Sequence, residues 1–384
     1  MPKLIIPKVN NTILQYMSIA DCHTNIRKNR FKMKNKLAAL LIAILPTFLF
    51  AQNINSEKLD TYFNSIENKN LGIGSLSIFK NGKEVYTKHF GQKNIPGLIY
   101  NQSTKYQVGS VTKMITAVLI FKLIEDNKLH LTDKLAEFYP QIPNSDKITI
   151  KHLLGHTSGL GSYVVKDGEV WVTEKTTDKQ IMDLIIQQGK NFEPDEKVAY
   201  SNSAYYLLAK ILEEKYRKSY QKIVRNEIIK PLGLKNLDSF RPNQKNVYPP
   251  YRYNDNSWHL LDKDLDFLNV IGVGDIAATS YDLNVFVNNL FHNNIIKKET
   301  LQLMEPLIGK EDWGRGIAVW DFEGTIFYGH GGDTLGSHAV LIYNKEADIS
   351  IAYNTNGERI KKEDFIKNVV NVLYDREVKL PELK

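Results

Sequence analysis

The chain has 384 residues, a formal charge of +7 at pH 7 and one cysteine, Cys22. Eight of its 50 basic residues but only one of its 43 acidic residues fall in the first 51 positions, so residues 52–384 balance at 42 of each and hold no cysteine. That body excludes disulfides, cysteine nucleophiles and cysteine metal ligands, and its neutrality gives no electrostatic case for a nucleic-acid partner.

The amino-terminal segment reads as a leader. Lys32, Lys34 and Lys36 precede the apolar run Leu37–Phe50, 14 residues long, which is followed by Ala51-Gln52. A charged region, an apolar stretch of that length and a small residue before the cut describe a secretory signal peptide. A membrane span needs about 20 apolar residues, and an uncleaved anchor is the second reading. Translation is expected to start at Met33 and cleavage to follow Ala51, with Met1–Lys32 as upstream sequence. No cysteine follows the apolar run to accept a lipid. The expected product is an exported protein, periplasmic or secreted, without a stable membrane anchor after cleavage. Residues 52–384 are read as one domain.

Within that domain, residues 71–91 read as a hairpin. Leu76, Ile78, Val85 and Tyr86 flank Asn81-Gly82, a strong two-residue turn signal. From about Thr112 to residue 235 the spacing is helical. Val111, Met114, Ile115, Val118, Leu119, Leu123 and Ile124 form one apolar helix, and Thr177-Asp-Lys-Gln180 is a capping box before Ile181 and Leu184. Ala204–Tyr216 and Tyr220–Ile229 keep the same period, and Pro231-Leu-Gly233 ends it. Residues 241–268, rich in Asn, Asp, Tyr and Pro, carry little pattern and read as a long excursion lining the site. A helix is expected at about 280–293. Strands follow at Ile317–Trp320, Thr325–Tyr328, Ala339–Tyr343 and Ile349–Tyr353, and an amphipathic helix closes the chain at Glu363–Tyr374. This order implies an α+β fold, with an antiparallel sheet flanked by helices plus an all-helical subdomain. The first hairpin would rejoin the later strands, the sheet layer taking about 60–110 and 270–380 and the helical and variable region about 112–270.

Three strings carry chemistry. Ser-x-x-Lys occurs at Ser77–Lys80, Ser110–Lys113 and Ser219–Lys222. The first lies in an alternating strand, where residues three apart face opposite ways, and the third opens a charged, solvated helix. Ser110 opens the apolar helix, where an i, i+3 pair shares a face and a desolvated lysine can take the serine proton. Its ordinary reading is a helix cap. Tyr200-Ser201-Asn202 offers a second proton carrier and an amide donor; both residues read equally as parts of a helix start. His330-Gly331-Gly332 lies on a strand where glycines admit a ligand close to the backbone, although a strand histidine is often a satisfied structural group. His152 and His156, at i, i+4, lack a third ligand cluster and are not read as a metal site.

In this order the three strings resemble the serine β-lactamase/penicillin-binding-protein superfamily, in its branch of class C β-lactamases, D-alanyl-D-alanine carboxypeptidases and family VIII esterases. Lys151-His-Leu-Leu-Gly-His-Thr-Ser-Gly-Leu160, Phe192-Glu-Pro-Asp-Glu-Lys-Val-Ala-Tyr-Ser-Asn202, Lys230-Pro-Leu-Gly-Leu234 and Gly329-His-Gly-Gly332 look like that branch too. The resemblance covers roughly residues 60–375. It implies Ser110 as nucleophile, Lys113 as the group that holds it and helps deprotonate it, and Tyr200 as proton relay, with either Lys113 or Tyr200 as the first base. It also implies Asn202 as a substrate-amide ligand, His330 in place of the usual motif lysine, and an oxyanion hole from the N–H groups of Ser110 and Asp333. Neither metal nor organic cofactor is implied.

Two departures bear on substrate. Asp333 stands where penicillin-recognising relatives often carry a hydroxyl, and its charge is expected to repel a substrate carboxylate by about a kcal/mol or more at about 4–5 Å. His330, with a reference pKa of about 6.5, supplies less positive charge than lysine. Pro194-Asp195 replaces the family's Pro-Gly, a turn-compatible exchange. The expected activity is hydrolysis of an amide or ester bond in a small-molecule or peptide substrate, such as an ester, a D-amino amide or an internal peptidoglycan linkage, with weak or no β-lactamase activity. A penicillin-binding or sensing protein that acylates and turns over slowly is the alternative, and a catalytically dead scaffold the third reading.

Overall fold

Strand alternation decides the architecture. In Gly72–Lys80, Leu76 and Ile78 point to one side of the sheet while Ser75 and Ser77 point to the other, since successive strand side chains face opposite ways. A computed structural model of the chain describes residues 54–98, 100–166, 169–239, 246–306, 313–379 and 383; the leader and its cleavage site lie outside the described residues. The main sheet has six antiparallel strands in the spatial order Ala318–Phe322, Thr325–Asp333, His338–Asn344, Ile349–Glu358, Gly72–Lys80 and Lys83–Phe90. The first hairpin does rejoin the later strands, with Leu76 opposite Tyr353.

One face of the sheet is apolar. Leu76, Ile78, Val340, Ile342, Ile351 and Tyr353 pack against the helices Ser56–Asn68 and Lys362–Leu373. Phe365 is the hinge of that layer, with ring centroids 4.1 Å from Tyr353, 5.6 Å from Phe63 and 5.7 Å from Phe90. The helix Ser56–Asn68 has no counterpart in the sequence reading.

The opposite face carries a buried polar seam. Ser280, Asn284 and Asn288 recur every fourth residue on the helix Ser280–Phe291 and so lie in one row. Ser280 Oγ meets Ser75 Oγ at 2.6 Å, Asn284 Nδ2 donates to Ser77 O at 2.8 Å, and Asn288 Nδ2 donates to Ser350 Oγ at 2.5 Å. A one-residue strand slip would put Leu76 and Ile78 against this row and strand its polar atoms, so the seam locks the register. Beyond it, the helix Thr112–Glu125 is buried almost all round and joins the sheet to the helices Asn202–Tyr216 and Asp178–Gln188.

The structure departs from the sequence reading in three places. The middle region is not all-helical, because Val165–Lys166 pairs with Glu169–Val170. The helix after Ser219 is not merely solvated: Tyr220, Ile223 and Val224 are fully buried, and Tyr220 Oη bonds Thr116 Oγ1 at 2.7 Å. The apparently unpatterned excursion contains a hairpin, Tyr251–Asn254 with Ser257–Leu260, turned by Asp255 and Asn256 at φ 48° and 59°. Asp and Asn tolerate the left-handed region that a type I′ turn requires, and without glycine the turn signal is weak. Pro250 and Leu261 then pack beside Gly336, in the turn after the strand that carries His330.

Phe365→Ala is expected to cost about 3–5 kcal/mol of unfolding free energy, read by urea denaturation. Hydrolysis per folded molecule is expected to stay unchanged, because the ring lies on the sheet face away from Thr112–Glu125.

Candidate active site

Two glycines bring the site together. Gly109, at φ +51°, begins the 3-10 turn Gly109–Val111 that places Ser110 just before the helix Thr112–Glu125. A methyl group on Gly109 would lie 2.7 Å from both the backbone N and O of Asp333. A methyl group on Gly332 would collide with Val108 O and lie 2.8 Å from Ser110 N. The turn Gly109–Val111 and the strand Thr325–Asp333 therefore touch backbone to backbone. The N–H groups of Ser110 and Asp333 lie along that contact, where they can face a developing oxyanion. Ser110 does not cap the helix; Val111 holds that position without a side-chain bond.

Lys113 follows one helical turn later and has no exposed surface. Its Nζ lies 3.1 Å from Ser110 Oγ and donates to Val273 O at 3.0 Å. The rings of Tyr200 and Tyr205 cover it, with centroids at 4.9 and 5.8 Å. Burial holds this amine well below the ordinary lysine range. A neutral amine keeps a lone pair and can accept the Ser110 proton.

Tyr200 closes the other side. The residue is 38% exposed, yet its hydroxyl end is buried on the side of Ser110. Burial pushes the phenol up, with Ser110 opposing the shift, so the group stays protonated at neutral pH. Ser201, rather than Asn202, caps the next helix by accepting Ala204 N–H at 3.1 Å. Asn202 donates to Ser162 Oγ at 2.9 Å. His330 is 2% exposed, its Nδ1 bonds Gly331 O, and its Nε2 is buried with no hydrogen-bond partner among the described residues. Burial, then the nearby Lys113, takes this imidazole down to about 3, so it is neutral. With Nδ1–H donating to the carbonyl, Nε2 is left as an acceptor. Gly331 leaves room for Trp320 and the Lys362 stem, each 3.4 Å or less from where a methyl would sit.

Asp333 is not the lone charge expected from the sequence. Lys362 Nζ bonds both carboxylate oxygens, at 2.6 and 2.8 Å, and His338 Nδ1 bonds Oδ1 at 2.6 Å. Burial opposes ionisation, but these bonds hold the carboxyl at about 2. The repulsion expected of a bare carboxylate is therefore largely cancelled, by a lysine on a helix 29 residues further along.

His152 and His156 go to different places. His152 Nε2 bonds Asp195 at 3.0 Å, and Asp195, at φ +64°, also accepts from Thr157. His156 is 1% exposed and stacks on Tyr200 with centroids 4.5 Å apart, while its Nδ1 accepts Ser201 N–H at 3.1 Å. With Trp313, 5.3 Å from Tyr200 and 5.2 Å from His330, it completes an aromatic wall. Sequence reasoning missed His156, Trp313, Val273 and Lys362. Only His156 had a signal, its place in the diagnostic stretch 151–160.

A lysine whose pKa is lowered by burial has a stability signature. Between its lowered native pKa and the unfolded value of about 10.4, the unfolded chain binds a proton that the native chain does not, so stability rises with pH. Lys113→Met is expected to raise the unfolding midpoint at pH 7, with the gain shrinking as pH approaches 10.5, while hydrolysis is lost. Calorimetry at both pH values checks this.

A family model described as Beta-lactamase matches residues 67–374. A putative penicillin-binding protein, PbpX, of Bacillus subtilis (strain 168) is 28% identical over 267 residues, which is 69% of this chain and 65% of that protein's length. The octameric penicillin-binding protein homologue from Pyrococcus abyssi superposes with a TM-score of 0.73 at 25% identity, over 84% of this chain and 78% of that one. The D-amino acid amidase from Ochrobactrum anthropi SV3 gives 0.71 at 19% identity, over 83% and 99%, a likeness of fold. Together with the matched stretch, these place the chain in the beta-lactamase family, within the serine β-lactamase/penicillin-binding-protein superfamily.

Proposed function

We propose that this chain is an exported serine hydrolase that cleaves an amide or ester bond through an acyl-enzyme on Ser110. The observation that carries the reading is the 3.1 Å approach of Ser110 Oγ to an amine with no exposed surface. As Oγ attacks the carbonyl carbon, its proton passes to Lys113, and the N–H groups of Ser110 and Asp333 stabilise the oxyanion. The C–N or C–O bond then breaks, and the leaving group takes a proton through Tyr200. Water repeats the sequence on the ester, returning the proton to Ser110. Asn202 would bind an amide of the substrate.

Substrate choice rests on charge. His330 is neutral and Lys362 is committed to Asp333, so among the described residues neither offers a free cation to a substrate carboxylate. Neutral esters and amides are favoured, and the fold shared with a D-amino acid amidase makes D-amino-acid amides the first substrates to assay. A second reading, slow acylation with little turnover, is favoured by the likeness to a penicillin-binding protein.

Ser110→Ala is expected to lower hydrolysis of a p-nitrophenyl ester by about 10⁴-fold or more, and wild-type-like turnover by that variant would remove the mechanism. Nitrocefin turnover is expected to be slow, and efficient cleavage would sink the substrate reading. A burst of product without steady turnover across esters, amides and penicillins would establish the second reading instead. Asp333→Ser is expected to speed penicillin acylation by releasing the Lys362 ammonium, a gain that the double variant Asp333→Ser/Lys362→Ala is expected to lose. If the double variant keeps it, plain repulsion by Asp333 is the cause.

A further inference from the structure

Asp275 is a carboxylic acid with no exposed surface and no part in the chemistry above. It ends the turn Gly272–Asp275, which presents two carbonyls to the helix Thr112–Glu125. Gly272 O accepts from Thr116 Oγ1 at 2.7 Å, and Val273 O accepts from the Lys113 amine at 3.0 Å. The next residue, Ile276, donates its N–H to Thr112 Oγ1 at 3.1 Å. Asp275 closes the turn from inside: Oδ1 accepts Gly272 N–H at 2.7 Å, and Oδ2 accepts the Ser239 hydroxyl. Gly272 takes φ +71° and lies so near Ala209 that a methyl would collide with it. The turn is thus wedged between the helix Asn202–Tyr216 and the nucleophile helix, and Asp275 is the group that ties it shut.

We propose that Asp275 is a positioning residue for Lys113: its ionised carboxylate holds the turn in the shape that offers Val273 O to the Lys113 amine, and protonation loosens that hold. The inference deepens the reading of Lys113 as the base for Ser110 and rests on it. Charge-assisted hydrogen bonds are about twice as strong as neutral ones. A protonated Asp275 can still accept from Gly272, but Ser239 must turn round to accept the new proton, and both bonds weaken.

The surroundings make this change accessible. Burial pushes Asp275 up to about 7, against the Ser239 and Gly272 hydrogen bonds, and the Glu213 carboxylate pushes the same way as burial. Glu213 itself is paired with Lys210 at 2.8 Å and accepts Tyr220 N–H at 2.8 Å. The phenols of Tyr163 and Tyr220, which face the same carboxyl, are raised by burial and stay neutral.

The test is the rate constant for labelling of Ser110 by a fluorophosphonate between pH 5 and 10, alongside the 13Cε resonance of labelled Lys113. The wild type is expected to show a rise in rate near neutrality and a matching step in the Lys113 resonance. Asp275→Asn keeps an acceptor for Gly272 and reverses the Ser239 bond, so it makes the protonated form permanent. It is expected to lose both features and to label at least tenfold more slowly above pH 8, with KM for a neutral ester unchanged. Ser239→Ala removes a bond that favours the ionised form and is expected to move both features to higher pH. An Asp275→Asn variant that keeps the step near neutrality, or a Ser239→Ala variant that leaves it in place, overturns the proposal. If Ser110 is not the nucleophile, labelling is the same in Ser110→Ala, while the Lys113 resonance still reports whether Asp275 governs that amine.

Discussion

A lysine amine held away from water is the constraint around which this molecule is arranged. Desolvation disfavours the charged form of an amine, and among the described residues no carboxylate bonds the Lys113 nitrogen to offset that cost; its polar partners there are a serine hydroxyl and a backbone carbonyl. The helix Thr112–Glu125 is therefore buried on nearly every side, and its polar residues are Thr112, Lys113 and Thr116, which bond to the segment Gly272–Ile276, and Lys122 and Glu125 near its end, which bond to Glu227 and Lys297. The rings of Tyr200 and Tyr205 finish the enclosure. The burial that weakens the fold at this residue also lowers the amine's pKa, as the proposed role of a base for Ser110 requires.

Close backbone approach is the second requirement. Gly109 and Gly332 let the turn Gly109–Val111 and the strand Thr325–Asp333 meet without side chains between them. The strand reaches that point because its sheet is anchored twice, by the aromatic layer around Phe365 and by the seam of Ser280, Asn284 and Asn288. Charges near the mouth are then cancelled locally. Asp333 is bonded by Lys362 and His338, and His330 is too dry to hold a proton. Under the proposed function, a cleft arranged this way would select by shape and hydrogen bonding more than by net charge.

Much of the fold was legible because period-two and helical spacing are local. Leu76 and Ile78, the capping box at Thr177–Gln180 and the apolar row after Ser110 announce their elements directly. The hairpin at Asp255-Asn256 was hidden because its turn has no glycine and its strands are only partly buried. The helix beginning at Tyr220 was misjudged because its charges are adjacent in sequence while its buried side chains meet Thr116, 104 residues away. At the site, Ser110, Lys113 and Tyr200 could be picked out by order and spacing. Val273 could not, since any residue supplies a carbonyl.

The sequence by itself determined the residue types that can do acyl-transfer chemistry, the strands and helices of the main sheet layer other than Ser56–Asn68, and the family. It could do so because i, i+3 spacing, alternation and glycine placement are properties of neighbours along the chain. Only the tertiary structure decided the desolvation of Lys113, the neutrality of His330, the pairing of Asp333 with Lys362, the stacking of His156 on Tyr200 and the burial of Asp275. Each of these depends on the dielectric and the partners around a group. Both are set by segments far away in sequence that folding brings within a few ångströms.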